Sequence, residues 1–173
     1  MAKRILNMTA EEMTHATKSE LIEAIAGSEG RVLASETIGI TIPLLTDVTN
    51  AEFAASMGAD LILLNMFDVQ EPKIMALPEV EKEETVREVK RLTGRMVGIN
   101  LEPVEESYAS DNKETLWEMS AGRYATVENA IQAQKMGVDL IVLTGNPGNG
   151  VSNPAIISSL KAISEAVGEK IML

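Results

Sequence analysis

The 173-residue sequence predicts an α/β fold built on a parallel sheet, and three observations carry that expectation. Short apolar runs without polar alternation, such as Asp60 to Met66 (DLILLNM) and Asp139 to Thr144 (DLIVLT), have the composition of strands covered on both faces. Segments with helical caps and helical spacing separate them, so the order reads βαβαβαβαβ. An internal repeat, Met57 to Leu64 (MGADLILL) against Met136 to Leu143 (MGVDLIVL), puts a helix end, a glycine turn and a strand at two equivalent points of that order. Duplicated barrel quarters and a common αβ turn chemistry would both produce it, and in either case the two strands have equivalent roles.

Thr9 to Glu12 and Thr17 to Glu20 have the spacing of capping boxes, so residues 10 to 26 form one helix or two short ones. Leu21, Ile22 and Ile25 recur at helical spacing, and Gly27 with Gly30 supplies a left-handed stop. Arg31 to Glu36 is the first strand, Asn50 to Met57 a small helix, and Asp60 to Met66 the second strand. Pro78 is expected at a helix start, with Glu83 and Arg87 paired at i, i+4 and Gly94 ending the helix before the third strand, Met96 to Leu101. Thr126 caps a helix running to Met136, and Asp139 to Thr144 is the fourth strand. Residues 154 to 167 form a fourth helix ending at Gly168, and Lys170 to Leu173 open a fifth strand.

Two architectures fit this order, a doubly wound open sheet and a TIM-type (β/α)8 barrel. The first strand runs into ETIGITIPLLTDVTN, which lacks a G-x-G-x-x-G turn leading into a helix, so the dinucleotide fingerprint is missing and the barrel is favoured. A complete barrel needs ~250 residues, so about the first half is expected here, strands 1 to 5. Residues 1–30 would be an N-terminal helical segment capping the barrel bottom, and 31–173 the partial barrel, ending inside strand 5. Half a barrel leaves two open strand edges and an apolar interior face. The expectation is either a fragment of a longer enzyme or a homo-oligomer in which another copy closes the barrel.

Fifteen Lys and Arg against 26 Asp and Glu give a formal net charge of -11, which argues against a nucleic-acid or anionic-membrane partner. With no Cys and a single His, disulfides, thiolate nucleophiles, iron–sulfur ligation and imidazole metal clusters are excluded, and any metal would be hard and oxygen-ligated. His15 lies in the opening helix and reads as a surface residue. No G-x-S-x-G elbow occurs, and no Ser-His-Asp set can be assembled around it. No apolar run approaches the ~18 residues of a membrane span, and the first residues are too short and mixed for a signal sequence, so a cytoplasmic protein is expected.

In a barrel, chemistry sits at the C-terminal ends of the strands. Those ends carry Glu36 and Thr37, Asn65 with Asp68, Asn100 with Glu102, and Thr144 with Gly145. Glu36, Asp68 and Glu102, from three adjacent strands, are expected to converge on Mg2+ or Mn2+; spacing equally allows three carboxylates that merely solvate loop starts. Asp47 is a further candidate, explained as well by a turn and cap over Thr46 to Asn50. The stretch Thr144 to Asn153 (TGNPGNGVSN) offers Thr144, Gly145, Asn146, Gly148, Asn149 and Gly150 as a phosphate or carboxylate cradle, ahead of a helix start at Asn153 and Pro154. A merely tight glycine turn is the alternative. It lacks the G-K-[ST] ending of a nucleotide-triphosphate loop. The long connection from Pro103 to Ala125 holds Tyr108, Trp117, Arg123 and Tyr124. It reads as a lid whose Arg123 clamps an anion, or as a rim helix around Leu116, Trp117 and Met119.

Taken together, SEGRVLASETIGIT, ADLILLN, MVGINLEP, AGRYAT and DLIVLTGNPGNGVSNP resemble bacterial phosphoenolpyruvate phosphonomutase-related (β/α)8 proteins, and the TG-x-x-x-x-G stretch from Thr144 is similar to that of the BtpA-like barrel family. The resemblance spans nearly the whole chain. It implies a barrel and, by way of the phosphonomutase and isocitrate-lyase relatives, Mg2+ with an acidic cluster acting on an α-keto acid or enolpyruvate. The signature acidic motifs of those lyases are missing, so the resemblance bears on fold ahead of chemistry. The function expected is a Mg2+-assisted barrel enzyme acting on a small phosphorylated or carboxylated metabolite. Glu36, Asp68 and Glu102 would hold the metal, Asn65 and Asn100 orient substrate oxygens, and Arg123 with the 144–150 loop bind the anion. A non-catalytic barrel binding a sugar phosphate or similar anion is the alternative from a different class.

Overall fold

Both N-terminal capping boxes form, with the side chains of Thr9 and Thr17 accepting from the amides of Glu12 and Glu20 in the computed structural model, which describes residues 3–105, 119–145 and 150–173. They open two helices, α1 (Ala10–His15) and α2 (Lys18–Gly27), separated because Ala16 is extended. Gly27 is still helical, and the left-handed turn expected of it is made instead by Glu29 and Gly30, at φ 55 and 78.

Four parallel strands follow, β1 (Ala34–Ile38), β2 (Leu61–Asn65), β3 (Met96–Leu101) and β4 (Leu140–Leu143), side by side in chain order. The register pairs Ala34 with Leu61, Leu61 with Met96, and Gly98 with Leu140. β1 starts later than the expected Arg31 because Asp60 ties off Leu33: the Leu33 amide donates to Asp60 Oδ2 at 2.9 Å and the Asp60 amide to the Leu33 carbonyl at 2.8 Å. The fifth strand is reduced to a single parallel bridge between Leu140 and Met172.

The crossovers carry α3 (Asn50–Ser56), α4 (Thr85–Thr93), α5 (Val127–Met136) and α6 (Asn153–Val167). The helix expected at Pro78 begins only after a 3-10 turn at Lys82–Glu84, since Glu81 before that turn is extended. With Glu83 in that turn, the expected i, i+4 pair is replaced: Arg87 donates to the Glu83 carbonyl and pairs with the Glu84 carboxylate at 2.8 Å. The N-cap of α6 is Ser152 rather than Asn153, with Pro154 in the first turn.

Strand alternation sorts the sheet into two faces. Ile62, Leu64, Val97, Ile99, Leu101 and Ile141 face the helices and are buried against Ala51 and Ala55 of α3, Val86 and Val89 of α4, Ala130, Ala133 and Met136 of α5, and Ile163 and Val167 of α6. Parallel strands in chain order, with like-handed crossovers, put α3, α4, α5 and α6 on that one face. On the other face, Leu61, Met96 and Met172 are buried under Ile5, Met13, Leu21 and Ala24 of the N-terminal segment. That segment covers the N-terminal end of the inner face, leaving the C-terminal end to carry polar groups. The chain is thus a partial (β/α) unit whose strand order has no reversal.

The repeat has a physical content. Gly58 and Gly137 both take left-handed φ, 101 and 88, to leave their helices. Asp60 and Asp139 then each accept, at 2.9 Å, the amide of a residue on the preceding strand side, Leu33 and Val97.

Candidate functional site

Along the inner face the polarity changes toward the strand ends. Gly98 sits in the middle, where a Cβ would lie 3.1 Å from the Leu140 carbonyl and 3.2 Å from Leu63 Cδ1, so its lack of a side chain lets Leu63 lie across β3. Level with it in the register stands Glu36, and further along come Asn65, Asn100 and then Thr144. Asn65 donates from Nδ2 to Glu36 Oε1 at 2.8 Å and accepts the Met66 amide at 2.8 Å, which fixes the orientation of its carboxamide. Met66 then leaves the strand at φ 57. Asn100 donates from Nδ2 to Thr144 Oγ1 at 3.0 Å. Its Oδ1 is buried and has no hydrogen-bond partner among the described residues. Thr37 Oγ1 shares that condition, but Thr37 lies in the alternation that points to the helices.

A second polar cluster stands just beyond β2 and β3. Asp68 Oδ1 accepts the amides of Gln70 at 2.7 Å and Glu71 at 3.0 Å. Burial pushes its carboxyl up, but the Ser120 hydroxyl, the two amides and the Arg123 charge outweigh that, and it titrates below the usual aspartate range. Gly122 packs on it so closely that a Cβ would stand 1.8 Å from Asp68 Oδ1. Arg123 donates to Glu102 Oε1 at 2.9 Å, and the Glu102 amide donates to the Arg123 carbonyl at 2.9 Å. Buried Asn129 on α5 organises this corner, donating to the carbonyls of Ala121 and Tyr124 and accepting from Gln70 Nε2. Asn129 did not emerge as a site residue from the sequence. Its one signal is the place three residues after the Thr126 cap, where a capping box would carry Glu or Gln.

These contacts redistribute the expected roles. Glu36, Asp68 and Glu102 do not share one cation site: Glu36 is held by Asn65, Asp68 closes a turn, and Glu102 is paired with Arg123. Among the described residues no three acidic or histidine side chains form a group that could hold a metal ion. Arg123, expected as an anion clamp, is ion-paired with Glu102. Asp47 is exposed in a turn with Thr46 at φ 57, and the cap of α3 is Thr49. His15 is exposed on α1. Asn146, Gly148 and Asn149 of the expected anion loop, and Tyr108, Leu116 and Trp117 of the expected lid, lie outside the described residues. At the ends of that loop Thr144 extends the ladder by donating its amide to the Leu101 carbonyl at 3.0 Å, and Gly150 takes φ 70. Next to it the Ser152 hydroxyl donates to the Glu105 carboxylate.

Fold and site together define a (β/α) domain with two polar clusters at the C-terminal ends of a four-stranded parallel sheet. The chain belongs to the family described as Domain of unknown function (DUF7916), which it matches over residues 6–173. No functionally curated protein matches the sequence. No helix among the described residues is long and apolar enough to cross a membrane.

Proposed function

We propose that this chain is the strand 1 to strand 5 portion of a TIM-type (β/α)8 barrel that binds a small phosphorylated or carboxylated metabolite over Asn65, Asn100 and Thr144. The observation that carries the reading is the gradient on the inner face, from Leu61 and Met96 buried under the N-terminal segment to Glu36, Asn65, Asn100 and Thr144 at the strand ends. Ligands of (β/α) barrels sit at those ends. Strands in unbroken chain order favour a barrel over a doubly wound sheet, whose order reverses at a switch point. The resemblance to phosphonomutase-related barrels points the same way.

Among the described residues the donor set does not fit the expected Mg2+ or Mn2+. Of the three carboxylates, Glu102 is committed to a guanidinium and Asp68 to two amides, leaving Glu36 with a carboxamide neighbour. A hard dication needs several oxygen donors aimed at one point. The chain's own residues therefore bind and orient: Asn65 holds Glu36, Thr144 holds Asn100, and Thr144 with Gly145 stands nearest the anionic group. Binding and orientation without a dication is the reading favoured over lyase chemistry through one.

The test is a titration of the full chain with phosphoenolpyruvate, and separately with inorganic phosphate, in EDTA, following the Thr144 and Gly145 backbone amides by NMR. Saturable shifts at both residues are expected without divalent cations. Unmoved resonances, or shifts that need added Mg2+, would sink the reading.

A further inference from the structure

We infer that the inner end of this sheet receives the hydrogen-bond donors of the ligand, hydroxyl or ammonium groups, rather than its anionic group; the inference rests on the binding reading above and specifies which part of the ligand lies there. The argument is an inventory of donors and acceptors. Asn65 has a partner at each end of its carboxamide, Glu36 at the nitrogen and the Met66 amide at the oxygen. Asn100 turns its nitrogen to Thr144. The one buried side-chain atom of the row with no partner at all among the described residues is an oxygen, Asn100 Oδ1, and the row ends at the exposed carboxylate of Glu36. A buried acceptor left without a donor is costly, and the Glu36 carboxylate, two strands away on the same face and bonded to Asn65, repels a phosphate or carboxylate. Arg123, the cation in the neighbouring cluster, is held by Glu102 and does not offset that repulsion. A ligand whose hydroxyl or ammonium group reaches Asn100 Oδ1 satisfies that acceptor and is drawn to the Glu36 side of the row, with its anionic end directed away from both. The class is a polyol phosphate or an amino-alkyl phosphate, and the carboxamide oxygen is what would distinguish it from a plain alkyl phosphate.

The experiment compares three probes of similar length on the full chain by calorimetry: erythritol 4-phosphate, 4-aminobutyl phosphate and n-butyl phosphate. At least one of the first two is expected to bind about tenfold tighter than n-butyl phosphate, the size of effect that one well-made hydrogen bond to a charged or buried acceptor produces. Which of the two wins separates hydroxyl from ammonium recognition. Asn100→Leu should abolish the preference, and it should fold because it removes an acceptor that has no donor. Thr144→Val, which releases the Asn100 amide, should reduce the preference in a second background. Equal binding of all three probes, or tighter binding of n-butyl phosphate, would overturn the inference while leaving the anion-binding reading standing. Binding of none of them would overturn both.

Discussion

Arg123 and Glu102 satisfy each other: Nη2 lies 2.9 Å from Oε1, and the side chains are only 14% and 9% exposed. Residues that the sequence sets apart as an anion clamp and a metal ligand thus cancel, and their service is to seat the segment around Gly122 against the end of β3. Removing the cation alone takes the guanidinium away from a buried carboxylate. Arg123→Met is therefore expected to cost about 3–5 kcal/mol in urea unfolding, and adding Glu102→Gln to recover part of it. A loss below about 1 kcal/mol from Arg123→Met would mean that the guanidinium is free to serve a ligand.

Gly122 is required by contact rather than by conformation. An added Cβ would stand 1.8 Å from Asp68 Oδ1 and 2.8 Å from the Gln70 amide, both part of a turn that closes on itself. Gly122→Ala should destabilise by at least about 1–3 kcal/mol through overpacking. Gly58→Ala serves as the comparison, since nothing lies within 4 Å of that Cβ and only its left-handed φ is at stake. Thermal unfolding of the two variants checks the order; a milder Gly122→Ala would contradict the packing.

Local signals made most of the fold legible. Thr9, Thr17 and Thr126 cap where their spacing says, because a cap depends on neighbours three residues away. The strands were legible from their unbroken apolar runs, and with them the places of Asn65, Asn100 and Thr144 at the strand ends. The start of β1 was not, because it is set by Asp60 across the sheet. The pairing of Glu102 with Arg123, 21 residues apart, is equally invisible to spacing. Nothing in a one-dimensional pattern tells a carboxylate aimed at a metal from one aimed at a guanidinium.

The two repeat aspartates are geometrically equivalent yet should be energetically unequal. Asp139 is paired at 2.8 Å with Lys90, both 11% exposed, and burial pushes its carboxyl up despite Lys90 and the Val97 amide. Asp60 has the amide contact to Leu33 without the described ion pair of Asp139. Asp139→Asn leaves the Lys90 ammonium buried without its counter-charge and is expected to cost about 3–5 kcal/mol. Asp60→Asn should cost only about 0.5–1.5 kcal/mol, the worth of one weakened hydrogen bond. Chemical denaturation of the two single variants decides the matter, and similar losses would show that the repeat is symmetric in energy as well as in shape.

Asp68 gives the site a pH signature. Its carboxyl titrates below the usual aspartate value of about 4, so in the window between the folded value and about 4 the folded chain binds fewer protons than the unfolded one. Stability from this group is therefore fully present above about pH 4 and is lost as pH falls through the folded value. Asp68→Asn removes the titration, so the variant should melt below the wild type at about pH 6, with the gap closing as pH falls through the folded value. Other carboxylates, such as Glu12, held at about 2 by the Lys3 ammonium and the Thr9 amide, add their own acid sensitivity to both proteins. The difference between the two melting curves isolates Asp68 from that background. A gap that stays constant across the range would mean that the turn is held by its geometry alone, with the carboxylate charge contributing nothing to it.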